Sequence, residues 1–127
     1  MSFNHVVAWI DHEQAHVIHF NTDATDSEVV KTHSTHPHLH AKAGTVGSGH
    51  AAESKPYFDD VSRALGQATE ILIVGPGHEK LELMKHLLKH HPAQASKVLS
   101  VESSDHPSDG QLLKYARKYF RKADVLR

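Results

Sequence analysis

Apolar positions fall into two kinds of pattern along this chain. His5 to Asp11 and Ala15 to Phe20 are short runs rich in Val, Ile and aromatics, separated by Asp-His-Glu-Gln, and they predict a β-hairpin. Val6, Ala8 and Ile10 fall on one face of the first run and Val7 and Trp9 on the other, so both faces are expected to be covered. Asn21 to Asp26 is a polar turn, and Ser27 to about His33 reads as a third, more polar strand suited to a sheet edge. Helical spacing takes over at Tyr57 to Gln67, with Phe58, Val61 and Leu65 on one face and Asp59 and Asp60 in the first turn. Ile71-Leu-Ile-Val74 is a buried strand that ends abruptly at Gly75-Pro-Gly77, and a helix follows with Leu81, Met84, Leu87 and Leu88 as its apolar positions. Lys80, Glu82, Lys85 and Lys89 fill most of the gaps in that helix. Pro92 stops it, and Lys97 to Val101 is a fifth strand. Ser108 and Gln111 have capping-box spacing for a last helix whose apolar side is Leu112, Leu113, Ala116, Tyr119, Phe120 and Ala123.

The order βββαβαβα predicts an α/β fold: one mixed sheet of three antiparallel strands followed by two parallel ones, with three helices, as in a ribonuclease-H-like domain. Residues 1–127 make a single domain by size. Between about 34 and 56 the composition shifts to His, Ser, Thr, Gly, Ala and Lys, which predicts a long mobile loop. Hydrophobic residues are 39% and charged residues 23%, an ordinary globular balance. The chain has no cysteine, which excludes disulfides and thiolate metal sites. No basic leader, signal core or run of about 18 apolar residues is present, so a cytoplasmic location is expected. The net charge of −1 gives no global attraction to nucleic acid, and any electrostatic partner must be met by a local patch.

Four stretches carry candidate chemistry. His36, His38 and His40 alternate, so in an extended segment their imidazoles share a side and suit Zn, Cu or Ni; the same tract is also compositional bias interrupted by Pro37. Asp11 and Glu102 end strands where a metal-dependent nuclease would place carboxylates, and Asp11 equally suits a hairpin turn. The Gly75-Pro-Gly77 turn leaves helix N–H groups for an anion, or serves only as a tight connection. In the last helix, Lys114, Arg117, Lys118, Arg121 and Lys122 form a basic stripe opposite the apolar one. That stripe reads either as a phosphate-binding face or as a solvated surface that complements the helix C-terminus.

Ile71-Leu-Ile-Val-Gly-Pro-Gly-His-Glu-Lys80 and its amphipathic helix, then Lys97-Val-Leu-Ser-Val-Glu-Ser-Ser104 and a polar loop with Gly110, resemble the middle domain of archaeal and eukaryotic class-1 peptide release factors and their relative Pelota. The chain looks like a one-domain bacterial relative. The resemblance implies a ribonuclease-H-like fold that faces the ribosome without nuclease chemistry. Where release factors carry Gly-Gly-Gln, this chain reads Gly47-Ser48-Gly49-His50, a departure shared with Pelota, which acts through binding. The leading expectation is therefore a non-catalytic, translation-associated protein that contacts the ribosome, rRNA or tRNA through Lys114, Arg117, Lys118, Arg121 and Lys122 and through Gly47, Gly49 and His50. The alternatives are a metal-dependent or release-type hydrolase using loop histidines, with Zn or Ni at the His-rich loop, and a homo-oligomeric interaction domain.

Overall fold

The computed structural model describes residues 5–22, 24–32 and 46–126, with side chains of 46–54 and 123–126 outside that description. Its strands are β1 (His5–Ile10), β2 (Gln14–Phe20), β3 (Thr25–Lys31), β4 (Glu70–Gly75) and β5 (Val98–Ser103). They form one five-stranded sheet in the order β3-β2-β1-β4-β5. Both β1·β2 and β2·β3 are antiparallel, whereas β1·β4 and β4·β5 are parallel. The mixed sheet is thus the one the sequence predicts.

Four helices accompany it: α1 (Val46–Leu65), α2 (Glu79–His90), α3 (Pro92–Ala95) and α4 (Asp109–Leu126). Strand β3 starts at Thr25, inside the expected Asn21–Asp26 turn, and the helices depart from expectation in two places. The first helix begins at Val46 and not near Tyr57, so the later part of the expected 34–56 loop is helical and carries Pro56 inside it. Proline and the glycines at 47 and 49 argue locally against a helix over its first half, while Tyr57, Phe58, Val61 and Leu65 bury the C-terminal half of α1 on the sheet. Pro92 stops α2 as expected, and it also starts α3, because a proline is accommodated at the first helical position.

The alternation in β1 divides the core. Val6, Ala8 and Ile10 join Ala15, Val17, Ile71 and Ile73 under α1 and α2, where Tyr57, Val61, Leu83 and Leu87 cover them. Val7 and Trp9 join Ile18, Phe20, Leu72 and Val74 under α4, where Leu112, Ala116 and Phe120 cover them. The three layers are helices, sheet and helix. On β3 only Val30 is buried, as befits an edge strand.

Local chemistry fixes the corners. Asp11 Oδ1 accepts the backbone N–H groups of Glu13 at 2.8 Å and Gln14 at 2.9 Å, so this carboxylate shapes the β1–β2 turn. The buried Tyr57 hydroxyl donates to the Asp11 carbonyl at 2.9 Å, and burial, with the Asp11 and Glu79 charges, pushes its phenol well above the usual range. Gly66, at φ +61°, turns the chain out of α1, a conformation that favours glycine. Gln94 then holds that end: its amide donates to the carbonyls of Ser62 at 2.9 Å and Gly66 at 3.0 Å, and the Ser62 hydroxyl donates to the Gln94 side-chain carbonyl.

At the β4–α2 turn, a Cβ on Gly75 would lie 2.2 Å from the Ile10 carbonyl oxygen, so close packing of β4 against β1 demands glycine there. Lys80 is buried and its ammonium donates to the Gly77 carbonyl. Glu79 and Glu82 stand in the first turn of α2, placing negative charge where an anion would have to dock. The turn is therefore a tight connection. The apolar face of α2 also differs from its expected form: Leu81 and Leu88 are exposed, and the buried positions are Lys80, Leu83, His86 and Leu87.

Candidate nucleic-acid interface

The face outside α4 is built by the same periodicity that buries its inside. Leu112, Ala116 and Phe120 recur at four-residue spacing and dock on the sheet, which turns the intervening cations outward. The helix starts with a reciprocal capping box: Ser108 N–H donates to Gln111 Oε1 at 3.0 Å, and Gln111 N–H donates to Ser108 Oγ at 3.2 Å. Phe120 packs with its ring centroid 4.6 Å from that of His5 and 5.7 Å from that of Phe20. Beneath it, His5 Nε2 lies 2.8 Å from Glu70 Oε1, joining the starts of β1 and β4.

Lys114, Lys118, Arg121 and Lys122 are all exposed. Arg117 departs from the expected free stripe. It is half-buried, its guanidinium donates to the Asn21 carbonyl at 3.0 Å and the Thr22 carbonyl at 3.3 Å, and it lies 5.5 Å from the centre of the Phe20 ring. Arg117 thus ties the β2–β3 turn to α4. A shallow cleft of about 220 Å³ opens beside it, bordered by His5, Asn21, Thr22, Phe120 and Arg121.

Among the described residues the four exposed cations meet no carboxylate. By contrast, on the opposite layer Lys55 pairs with Asp59 at 3.2 Å, Arg63 with Asp60 at 2.6 Å and Lys85 with Glu82 at 3.6 Å. Like charges at i,i+3 and i,i+4 on a helix each cost about 0.2–0.5 kcal/mol, so the α4 stripe is carried at a small expense of stability.

Gly47, Gly49 and His50 lie in the first turns of α1 and not in a loop, with their side chains outside the described residues. His36, His38 and His40 fall in the segment 33–45, also outside them. Glu102 accepts from the Tyr115 hydroxyl and from Ser100 Oγ, and the Glu102 contact with partial burial pushes the Tyr115 phenol up to about 12. Asp11 is engaged in its turn, and Glu102 is held by two hydroxyls.

Asp59, His86 and His91 come together instead, a constellation the sequence reading missed. These residues lie on different elements, and the only sequence hint is that His86 falls beside Leu83 and Leu87 on the inner side of α2. No described helix is long and apolar enough to cross a membrane.

No protein-family model matches the chain, and no curated protein matches it. Solved structures do resemble it. Archaeoglobus fulgidus Pelota shares 12% identity with a TM-score of 0.63, the alignment covering 93% of this chain and 32% of that one. Thermoplasma acidophilum Pelota shares 15% identity with a TM-score of 0.60, over 90% of this chain and 32% of that one. The archaeal translation termination factor aRF1 shares 14% identity with a TM-score of 0.57, over 88% of this chain and 32% of that one. The chain spans about a third of the length of each. At such identities the likeness is one of fold, and it matches the fold of the domain that the sequence motifs resemble.

Proposed function

We propose that this chain is a non-catalytic, translation-associated domain that binds the ribosome or structured RNA through Lys114, Lys118, Arg121 and Lys122 of α4, with Arg117 holding the adjoining turn. The observation that carries this reading is the exposed cationic stripe, which meets no carboxylate among the described residues. The fold pairs Lys55, Arg63 and Lys85 internally, whereas the four exposed cations of α4 meet no carboxylate among the described residues, a small cost that contact with phosphates would reverse. The fold shared with Pelota and with a translation termination factor supports the ribosome as the source of those phosphates. On this reading the start of α1, with Gly47, Gly49 and His50, is a second contact.

Sedimentation through a sucrose gradient with purified ribosomes at low salt tests it. The wild type should travel with ribosomes, and binding should fall with log salt at a slope of about −3 to −4 if four phosphates are engaged. Changing Lys114, Lys118, Arg121 and Lys122 to Glu should abolish association while leaving the thermal unfolding curve intact. A wild type that stays at the top of the gradient at every salt concentration sinks the proposal.

A further inference from the structure

The residues outside the cationic face hold a second arrangement with chemistry of its own. Asp59 projects from α1, His86 from the inner side of α2, and His91 from the position that ends α2. Their placement follows from the fold. His86 is carried inward beside Leu83 and Leu87, while the His91 backbone, with its N–H donating to the Leu87 carbonyl at 2.8 Å, turns out of the helix before Pro92. Both imidazoles aim Nε2 at one oxygen, Asp59 Oδ1, at 2.7 Å from His86 and 3.1 Å from His91. One donor atom from each of the three residues lies within 4.8 Å of the others.

We propose that Asp59, His86 and His91 form a binding site for a divalent transition-metal ion, Zn²⁺ in the first instance. Two imidazole nitrogens and one carboxylate oxygen suit Zn²⁺, whereas Ca²⁺ and Mg²⁺ favour shells made mainly of oxygen. In a tetrahedral zinc site, bonds of about 2.0–2.1 Å place ligand atoms about 3.3–3.4 Å apart. To admit the ion, the Nε2–Oδ1 separation would open by about 0.2–0.3 Å at His91 and about 0.6–0.7 Å at His86, with the bridging protons released. The remaining coordination position faces solvent, because the Asp59 and His91 side chains are 30% and 34% exposed while His86, at 7%, forms the dry wall.

The surroundings favour the ionised, ligand-competent form of Asp59. Hydrogen bonds from His91, His86 and Lys55 hold the Asp59 carboxyl well below the usual carboxylate range, so it is ionised at neutral pH. Lys55 Nζ donates to the other carboxylate oxygen at 3.2 Å, which orients the group and leaves Oδ1 to the ion. The Phe58 ring, centred 5.5 Å from that of His86, and the His90 ring at 4.7 Å restrict how the His86 imidazole can swing. A bound ion would cross-link α1 to the corner between α2 and α3, next to the Gln94 clamp on the end of α1.

The experiment uses the untagged full chain, stripped with chelator and titrated with ZnSO₄ by calorimetry, with histidine side-chain ¹⁵N NMR read in parallel. One equivalent should bind, the thermal midpoint should rise, and His86 and His91 should be the imidazoles whose Nε2 resonances move. His91→Ala and Asp59→Asn should each weaken binding more than tenfold, and changing His36, His38 and His40 together to Ala should leave it unchanged. Absence of binding overturns the proposal. So does binding that the loop variant abolishes and His91→Ala does not. Should both site variants fail to fold, the wild-type NMR still decides: resonances moving only at other histidines would mark the ion as adventitious.

Discussion

The two layers that flank the sheet treat their charged side chains in opposite ways. On the α1 and α2 side, Lys55, Arg63 and Lys85 each meet a carboxylate of their own helix, and Asp59 gathers Lys55, His86 and His91 around itself. On the α4 side, apart from Arg117, the described cations point outward with no internal partner. Each layer covers an apolar core of its own. One layer matches these cations within itself, and the other presents its cations to solvent.

The strongest way to break this comparison is to damage what both layers share. Gly75→Ala would drive a Cβ against the Ile10 carbonyl oxygen, backbone against backbone, and should destabilise the protein by about 5 kcal/mol or more in urea unfolding, with both layers lost together. A milder result would mean that β4 can shift without disturbing β1.

Phe120→Ala removes a buried ring from the α4 layer alone and should cost about 3–5 kcal/mol by the same measurement. Hydrogen exchange should rise in α4 and remain slow in α1 and α2; an equal rise in all helices would show that the layers are not separable.

The smallest effect sharpens the contrast on the other side. Folding lowers the pKa of the Asp59 carboxyl, so its stabilisation is present above the ordinary aspartate value of about 3.9 and is lost as pH falls below that toward the folded value. Asp59→Asn has no such group to titrate. Measured in chelator, its stability should fall less than that of the wild type between about pH 5 and about pH 3. Parallel losses would mean that the His86 and His91 contacts do not carry the acid response.

Much of the frame is legible in the residues themselves. The Ile71–Val74 run, the alternation through Val6 to Ile10 and the Ser108–Gln111 capping box each depend on neighbours close in sequence, and each stands in the structure as read. What escapes reading depends on partners far away. Lys80 and His86 are polar yet buried, because a carbonyl and a carboxylate receive them, while Leu81 and Leu88 lie outside. Arg117 looks like its neighbours in the stripe until the carbonyls of the β2–β3 turn arrive beside it. Asp59 stands 27 and 32 residues from its two histidines, a spacing that matches no local metal motif. Apolar periodicity reports which side of a helix faces inward and is silent on which polar groups find company there.

The parallel pairing of β1 with β4 also bears on how the chain reaches this state. The β1–β2–β3 meander joins near neighbours and can form early, whereas the ladder from His5 with Glu70 to Trp9 with Val74 must close a long loop that contains β2, β3 and α1. Closing that loop is the non-local step that should set the folding rate. Its entropy grows only with the logarithm of length, about 0.6 kcal/mol for each doubling, so inserted residues between β3 and α1 would slow folding slightly and leave the finished sheet unchanged.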